Sequence, residues 1–335
     1  MKKHKVLAML LSAVLLLGAA TGCASSKTNA PEGSADSAVT ETVEGEEAEK
    51  TEDGEEETKD GKTKDGKKTT KSSSGKKSSS PRIIATSAAT CDIMDRLGID
   101  LVGVPETTVS SIAARYNGVK RVGSPMGPDM EVIKSLNPTD VIGPDTLKAD
   151  LQMQYNNIGV DSTFINLRSV KGLYDSVELI GDKYGKSAEA DAIVQEYKNF
   201  MASYSANHGG KSPKVLVLMG LPGSYLVATN NSYAGSLVEL AGGTNVFHDS
   251  RDFLTISPEE MLARDPDVII RTAHGLPQEA LAMFNKEFST NDIWKHFRAV
   301  QEGKVYDVDY MIFGMSATFD YPQALADLEP MLYGN

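Results

Sequence analysis

From Pro81 onward the chain alternates short apolar runs with stretches in which apolar residues recur every three or four positions. The runs RIIAT, DLVGVP, TDVIGPD and STFINL have the length and apolar character of buried strands. The segments between them, around Ala88–Leu97, Asp129–Leu136, Lys148–Ile158 and Val170–Tyr184, carry the helical period. Such alternation predicts a mostly parallel sheet with helices on its faces. The pattern restarts at KVLVLMG and YLVAT, continues through Ser236–Ala241 and Pro258–Arg264 to DVIIRT, and closes with VYDVDY and a terminal helix from Pro322. Between the two halves, Ala192, Ile193, Val194, Tyr197, Phe200 and Met201 fall at helical spacing, with Gly209-Gly210 as the stop signal. The predicted fold is α/β: two Rossmann-like lobes, residues 81–185 and 211–335, joined by a single long helix over residues 186–210.

An internal echo runs through the two halves. DMEVIKSLNPTDVI and PEEMLARDPDVII each place a glutamate seven positions before a proline and then enter a strand, which aligns Glu131 with Glu259 and Pro138 with Pro266. Compensation of the helix dipole, worth a few tenths to about 1 kcal/mol, would by itself explain one such glutamate.

In open α/β sheets, ligands bind beyond the carboxyl ends of the strands. The positions this selects are Ser87, Ala88 and Ala89, then Thr107 and Thr108, then the turn GSPMGP at 123–128. In the second half they are Leu221 to Ser224 and Ala273-His274-Gly275. Most are small, apolar or hydroxylic, and Arg271 is the one arginine expected close to these loops, so the expected cleft is weakly charged.

The first eighty residues change the picture. Of the 335 residues, those from Met1 to Gly22 combine a basic start, an apolar run too short for a comfortable membrane span, and the small residues Ala20, Thr21 and Gly22. This reads as a lipoprotein signal peptide over 1–22 with Cys23 as the lipidated residue, although Ala20 stands where a bacterial lipobox usually has Leu. Ordinary cleavage leaving a free Cys23 is the alternative. Residues 23–80 are acidic at first, then rich in Lys, Gly and Ser, a composition with too little apolar surface to order itself. A tether of that kind lets the folded part reach roughly 40 Å from its anchor. The net charge of −12 and the export segment argue against nucleic acid as a partner. The only other cysteine, Cys91, lies in AATCDIMDRLG and reads as a small buried hydrophobe.

Two residues stand out chemically. His274 is one of five histidines, and Met126 sits between Pro125 and Gly127, where its thioether points away from a packed helix face. A histidine and methionine pair is a soft-to-borderline donor set suited to haem iron or copper. Taken singly, a turn methionine is more often filler and a histidine after a strand more often a polar loop residue. An exported hydrolase built on His274 with Asp249 or Asp252 lacks supporting spacing, and His208, His248 and His296 read as lacking partners. Tyr233, Trp294 and Phe297 read as core, while Phe313 is divided between core and cleft wall.

The stretches VGSPMGPD, KVLVLMGLPGSYLVAT, AGGTNVF, RTAHGLPQE and NDIWKHFRAV resemble those of the haem-receptor lipoproteins of the iron-regulated surface determinant system. These are cluster A, or class III, solute-binding proteins of ABC importers, and the resemblance runs from about Arg82 to the final helix. It implies haem (iron protoporphyrin IX) as the transported ligand, held between the lobes by Met126 and His274 as axial ligands of the iron. It also implies haem contacts at Ala88, Ala89, Thr107 and Thr108, although an aromatic that the family can place beside the second of these loops is absent here. Glu131 and Glu259 match the acidic knobs by which such proteins dock on a permease dimer, which works with its ATPase. The implied activity is binding and hand-over without catalysis, on the extracellular face of a bacterial cytoplasmic membrane, with an upstream haem-donating surface protein as a further partner. The same fold hosts ferric-siderophore and cobalamin binders, which form the alternative reading; anionic siderophores call for several arginines or aromatics at the strand ends.

Overall fold

In the computed structural model, residues 80–107, 111–204 and 210–334 are described. Cys23, the export segment, the charged tether, Thr108 and His208 lie outside them. In chain order the elements of the first half are β1 (Ile83–Ala85), α1 (Ala88–Arg96), β2 (Leu101–Val104), β3 (Lys120–Arg121), β4 (Gly123–Ser124), β5 (Gly127–Pro128), α2 (Met130–Ser135), β6 (Asp140–Pro144), α3 (Lys148–Asn157), β7 (Ser162–Ile165) and α4 (Val170–Tyr184). After α5 (Ser187–Ser203) come β8 (Lys214–Leu221), β9 (Ser224–Ala228), α6 (Tyr233–Leu240), β10 (Thr244–Asn245), β11 (Phe253–Leu254), α7 (Pro258–Ala263) and β12 (Val268–Ala273). The chain closes with α8 (Pro277–Thr290), α9 (Arg298–Gln301), β13 (Val305–Asp307) and α10 (Tyr321–Tyr333).

The first sheet has the order β3-β2-β1-β6-β7, with every neighbouring pair parallel. The second has the order β11-β9-β8-β12-β13, with β10 beside the start of β8. Here β12 and β13 run parallel to β8, whereas β9 returns antiparallel because Pro222-Gly223 makes a two-residue turn between the paired residues Leu221 and Ser224. The inner strands β6 and β12 are buried along their whole length, as expected for strands with neighbours on both edges and cover on both faces.

The glutamate echo is a structural repeat. Asp129 caps α2 and Ser257 caps α7, and each helix runs for 6 residues. Each is followed by a non-glycine residue in the left-handed region, Asn137 at φ 43° and Asp265 at φ 49°, then a proline, then an inner strand.

The helix between the halves is shorter than the pattern suggests. It ends at Ser203, and α5 folds back along α4, so that Tyr174 and Tyr197 stack with centroids 4.2 Å apart. Gly181 makes this approach possible, since a Cβ there would lie 2.5 Å from the Cβ of Ala190. Tyr321 of α10 meets Tyr174, Tyr197 and Phe200 edge-on. One apolar cluster joins Ile83 and Ala85 of the first sheet with Val217 and Ile270 of the second through α4, α6 and α10. Cys91 is buried in that cluster, and burial pushes its thiol pKa up to about 12. Two smaller cores cover the outer sheet faces, one around Ile84, Val141 and Tyr155, the other around Leu216, Ile269 and Trp294.

Several elements depart from the sequence reading. The 123–128 turn is a β4–β5 hairpin, and the 14-residue helix α8, unread from the sequence, follows the His274 loop. Trp294 stacks on Phe297 at 4.6 Å from a short 3-10 turn, and both are buried, as is Tyr233. Phe313 belongs to the core, held by the bond from Thr272 Oγ1 to its carbonyl at 3.0 Å.

Replacing Gly181 by alanine wedges α4 from α5 and is expected to cost roughly 1–3 kcal/mol in urea unfolding. Leu179→Ala, at a half-exposed position of the same helix, is expected to stay within about 0.5 kcal/mol of the parent. Equal effects of the two changes would contradict the close-packing account.

Candidate functional site

At the carboxyl end of β1, Ser87 caps α1 by accepting from Thr90 N at 3.1 Å, which leaves Ala88 and Ala89 half-buried in the opening turn of the helix. At the end of β2 the chain passes Pro105 and Glu106 to a half-buried Thr107. That loop is tied to its neighbour: Glu106 N donates to Gly123 O at 2.8 Å, and Arg121 Nη1 donates to Pro105 O at 3.0 Å.

Beyond β3, the β4–β5 hairpin holds up Met126. Gly123 sits at φ 92°, where a Cβ would also press on Asp129 N at 2.9 Å, so the hairpin can begin here only with glycine. Gly127 N donates to Ser124 Oγ at 3.1 Å across the Pro125-Met126 turn. Met126 is 72% exposed, the most exposed of the large apolar side chains among the described residues. A thioether left in water by a rigid turn contributes nothing to the core, so packing does not explain the residue.

On the second sheet, β12 ends at Ala273, and His274 N donates to Gly220 O of β8 at 2.8 Å, so the backbone carries the strand register one residue further. Gly275 and Leu276 then both take left-handed φ, 66° and 40°, before Pro277 opens α8. Leucine in that region is strained, and strain of this kind gathers at functional loops. The His274 ring is partly buried, and burial alone lowers its pKa from the ordinary 6.5. No ring nitrogen of His274 has a hydrogen-bond or ion-pair partner among the described residues. Burial favours the neutral ring, the form in which histidine binds a metal, and no partner among the described residues occupies its lone pair.

Two arginines near the strand ends are paired with carboxylates. Arg271, buried behind the His274 loop, donates to Asp307 through Nε at 2.7 Å and Nη2 at 2.6 Å, and lies over Phe288. It lines a pocket of about 180 Å³ with Ala273, Pro277, Leu281 and Tyr310. Arg168, after β7, touches Asp252 Oδ2 at 3.0 Å without hydrogen-bond alignment and Asp145 Oδ2 at 3.6 Å, linking the two halves. Arg271 is therefore not the one arginine near these loops: Arg121 and Arg168 sit at strand ends of the first sheet.

Asp249 pairs with Arg251, and Asp252 with Arg168 and Asn231, so neither is engaged with His274. His248, read from the sequence as lacking a partner, pairs with Glu239 at 3.2 Å. No group of three or more His, Cys, Asp or Glu side chains among the described residues could hold a metal ion. Glu131 and Glu259 are both exposed in the first turns of α2 and α7, equivalent places in the two halves.

Residues 83–310 match the family model of the periplasmic binding proteins. The chain is 39% identical over 261 residues to the high-affinity heme uptake system protein IsdE of Staphylococcus aureus, covering 77% of this chain and 89% of that protein. In three dimensions it is similar to an ABC transporter substrate-binding protein from Listeria monocytogenes EGD-e, with TM-score 0.72 and 41% identity over 77% of this chain and 100% of that one. It is also similar to S. aureus IsdE complexed with heme, with TM-score 0.68 and 38% identity over 76% of this chain and 99% of that one.

Burial of a neutral His274 sets a pH dependence. The unfolded chain titrates near the ordinary 6.5 and the folded chain below it, so between those values the unfolded state binds more protons. Stability of the ligand-free protein is expected to fall as pH drops through that window. His274→Gln removes the titrating group and is expected to flatten urea-unfolding free energies measured between about pH 7 and about pH 5. An unchanged slope would show that His274 is not buried as a neutral ring.

Proposed function

The chain belongs to the periplasmic binding protein family, with the class III fold, and from that premise we propose that it binds haem between its two sheets for an ABC importer. The reading is carried by one observation: each half presents, beyond the carboxyl ends of its strands, a metal-binding side chain with no structural task. Met126 stands on a hairpin in water, and His274 is a partly buried imidazole, its neutral form favoured by burial, lacking a partner among the described residues. Together they offer one thioether and one nitrogen, a pair that suits the two axial positions of a haem iron.

Burial of the apolar macrocycle supplies most of the affinity, and axial ligation selects iron porphyrin over metal-free porphyrin. Ala88, Ala89 and Thr107 line the first-half side, and Thr108 extends that contact outside the described residues. The protein performs no bond chemistry on its ligand. Glu131 and Glu259 each dock on one subunit of the permease dimer, which the ATPase drives, and their matching exposed helix starts support that symmetry. Cys23, outside the described residues, carries a lipid that anchors the chain to the extracellular face of the membrane, where a haem-donating surface protein hands over the ligand. An anionic ferric siderophore, which calls for several free arginines, fits less well, because Arg271 and Arg168 are already paired with carboxylates and only Arg121 is left among those at the described strand ends.

Met126→Ala and His274→Ala are each expected to weaken haem retention by roughly tenfold or more and to shift the absorption bands. A double variant that kept the parent spectrum would refute the ligand pair. Exchanging Glu131 and Glu259 together for alanine is expected to reduce cellular haem uptake while leaving the purified protein's haem spectrum unchanged. Normal uptake by that variant would remove the docking role.

A further inference from the structure

Among the arginines at the strand ends, one is not neutralised. Arg121 is the last residue of β3, paired with Val104 of β2 at the carboxyl edge of the first sheet. Its only hydrogen bond among the described residues is from Nη1 to Pro105 O at 3.0 Å, on the loop that leads to Thr107. Among the same residues Nε and Nη2 have no partner, and no carboxylate pairs with the group, whereas Arg168 and Arg271 both have one. Its charge also acts on Cys91 in α1, opposing the larger effect of burial on that thiol, so the guanidinium stands near the helix that starts at Ala88.

Arg121 is exposed, so the open part of its fork faces solvent and is free to take an arriving acceptor. Haem carries two propionate carboxylates on one edge, and a guanidinium fork matches a carboxylate bidentately. The frame around Arg121 also holds the methionine hairpin, since Glu106 N donates to Gly123 O at 2.8 Å and Asp129 N to Val122 O at 2.7 Å. A carboxylate fixed at Arg121 would therefore be positioned relative to Met126. From this juxtaposition we infer that Arg121 binds one propionate of the ligand and so sets which edge of the macrocycle enters first. The inference rests on the haem reading above.

The test titrates haemin and haemin dimethyl ester, in which both propionates are blocked, into the parent protein, Arg121→Gln and Arg121→Lys, followed by Soret absorbance. Arg121→Gln is expected to weaken haemin binding about fivefold, the scale of a partly exposed ion pair, with the band position unchanged. Arg121→Lys is expected to recover part of that loss, and the ester is expected to bind the parent and Arg121→Gln equally. Loss of both ligands to the same degree would reduce Arg121 to a prop for the Pro105 loop and overturn the inference. So would haemin binding that none of the substitutions weakens. A parent protein that fails to retain haemin overturns the haem reading itself, a result visible before any variant is compared.

Discussion

One continuous apolar seam decides how the two sheets meet. Ile83 and Ala85 from one sheet, and Val217 and Ile270 from the other, belong to a single buried cluster with α4, α6 and α10. Its aromatic part, Tyr174, Tyr197, Phe200 and Tyr321, packs ring on ring in stacked and edge-on pairs, the geometries that add most to simple burial. Close passage of α5 over Gly181 is a condition of that packing. Further ties cross between the halves at Arg168, and where Ala317 N donates to Leu167 O at 2.7 Å. With the sheets held this way, the loops beyond the strand ends are presented from a stiff frame.

Those loops are shaped by backbone demands. Gly123 permits the hairpin that exposes Met126, and the consecutive left-handed residues Gly275 and Leu276 turn the chain sharply after His274. Both side chains stay out of the core packing: the thioether is solvated, and burial lowers the pKa of the imidazole, which pairs with no carboxylate among the described residues. Burial favours the neutral form of His274, the form that binding to a metal would require. The paired glutamate helices place equivalent acids on the two halves, a symmetry that a permease made of two subunits would use.

Much of this was legible in the chain because periodicity reports burial. Val170–Tyr184 and four of the first-half strands, β1, β2, β6 and β7, follow from apolar spacing, and the alignment of Glu131 with Glu259 follows from two prolines at the same offset. Local patterns failed where the deciding partner is distant in sequence or short in span. Two-residue strands such as β3 and β4 are too brief to show a period, and the antiparallel return of β9 depends on one Pro-Gly turn. Phe313 is drawn into the core by Thr272, 41 residues away, and Arg121 shows its exceptional state only against the carboxylates that neutralise Arg168 and Arg271. Met126 and His274 were visible as donor types; their lack of structural employment required the fold.

The most direct measurement is an absorption titration of the ligand-free protein with haemin, set beside the same titration with a ferric hydroxamate siderophore. The account predicts a shifted, saturable Soret band with haemin and no saturable change with the siderophore. Saturable binding of the siderophore alone would contradict it.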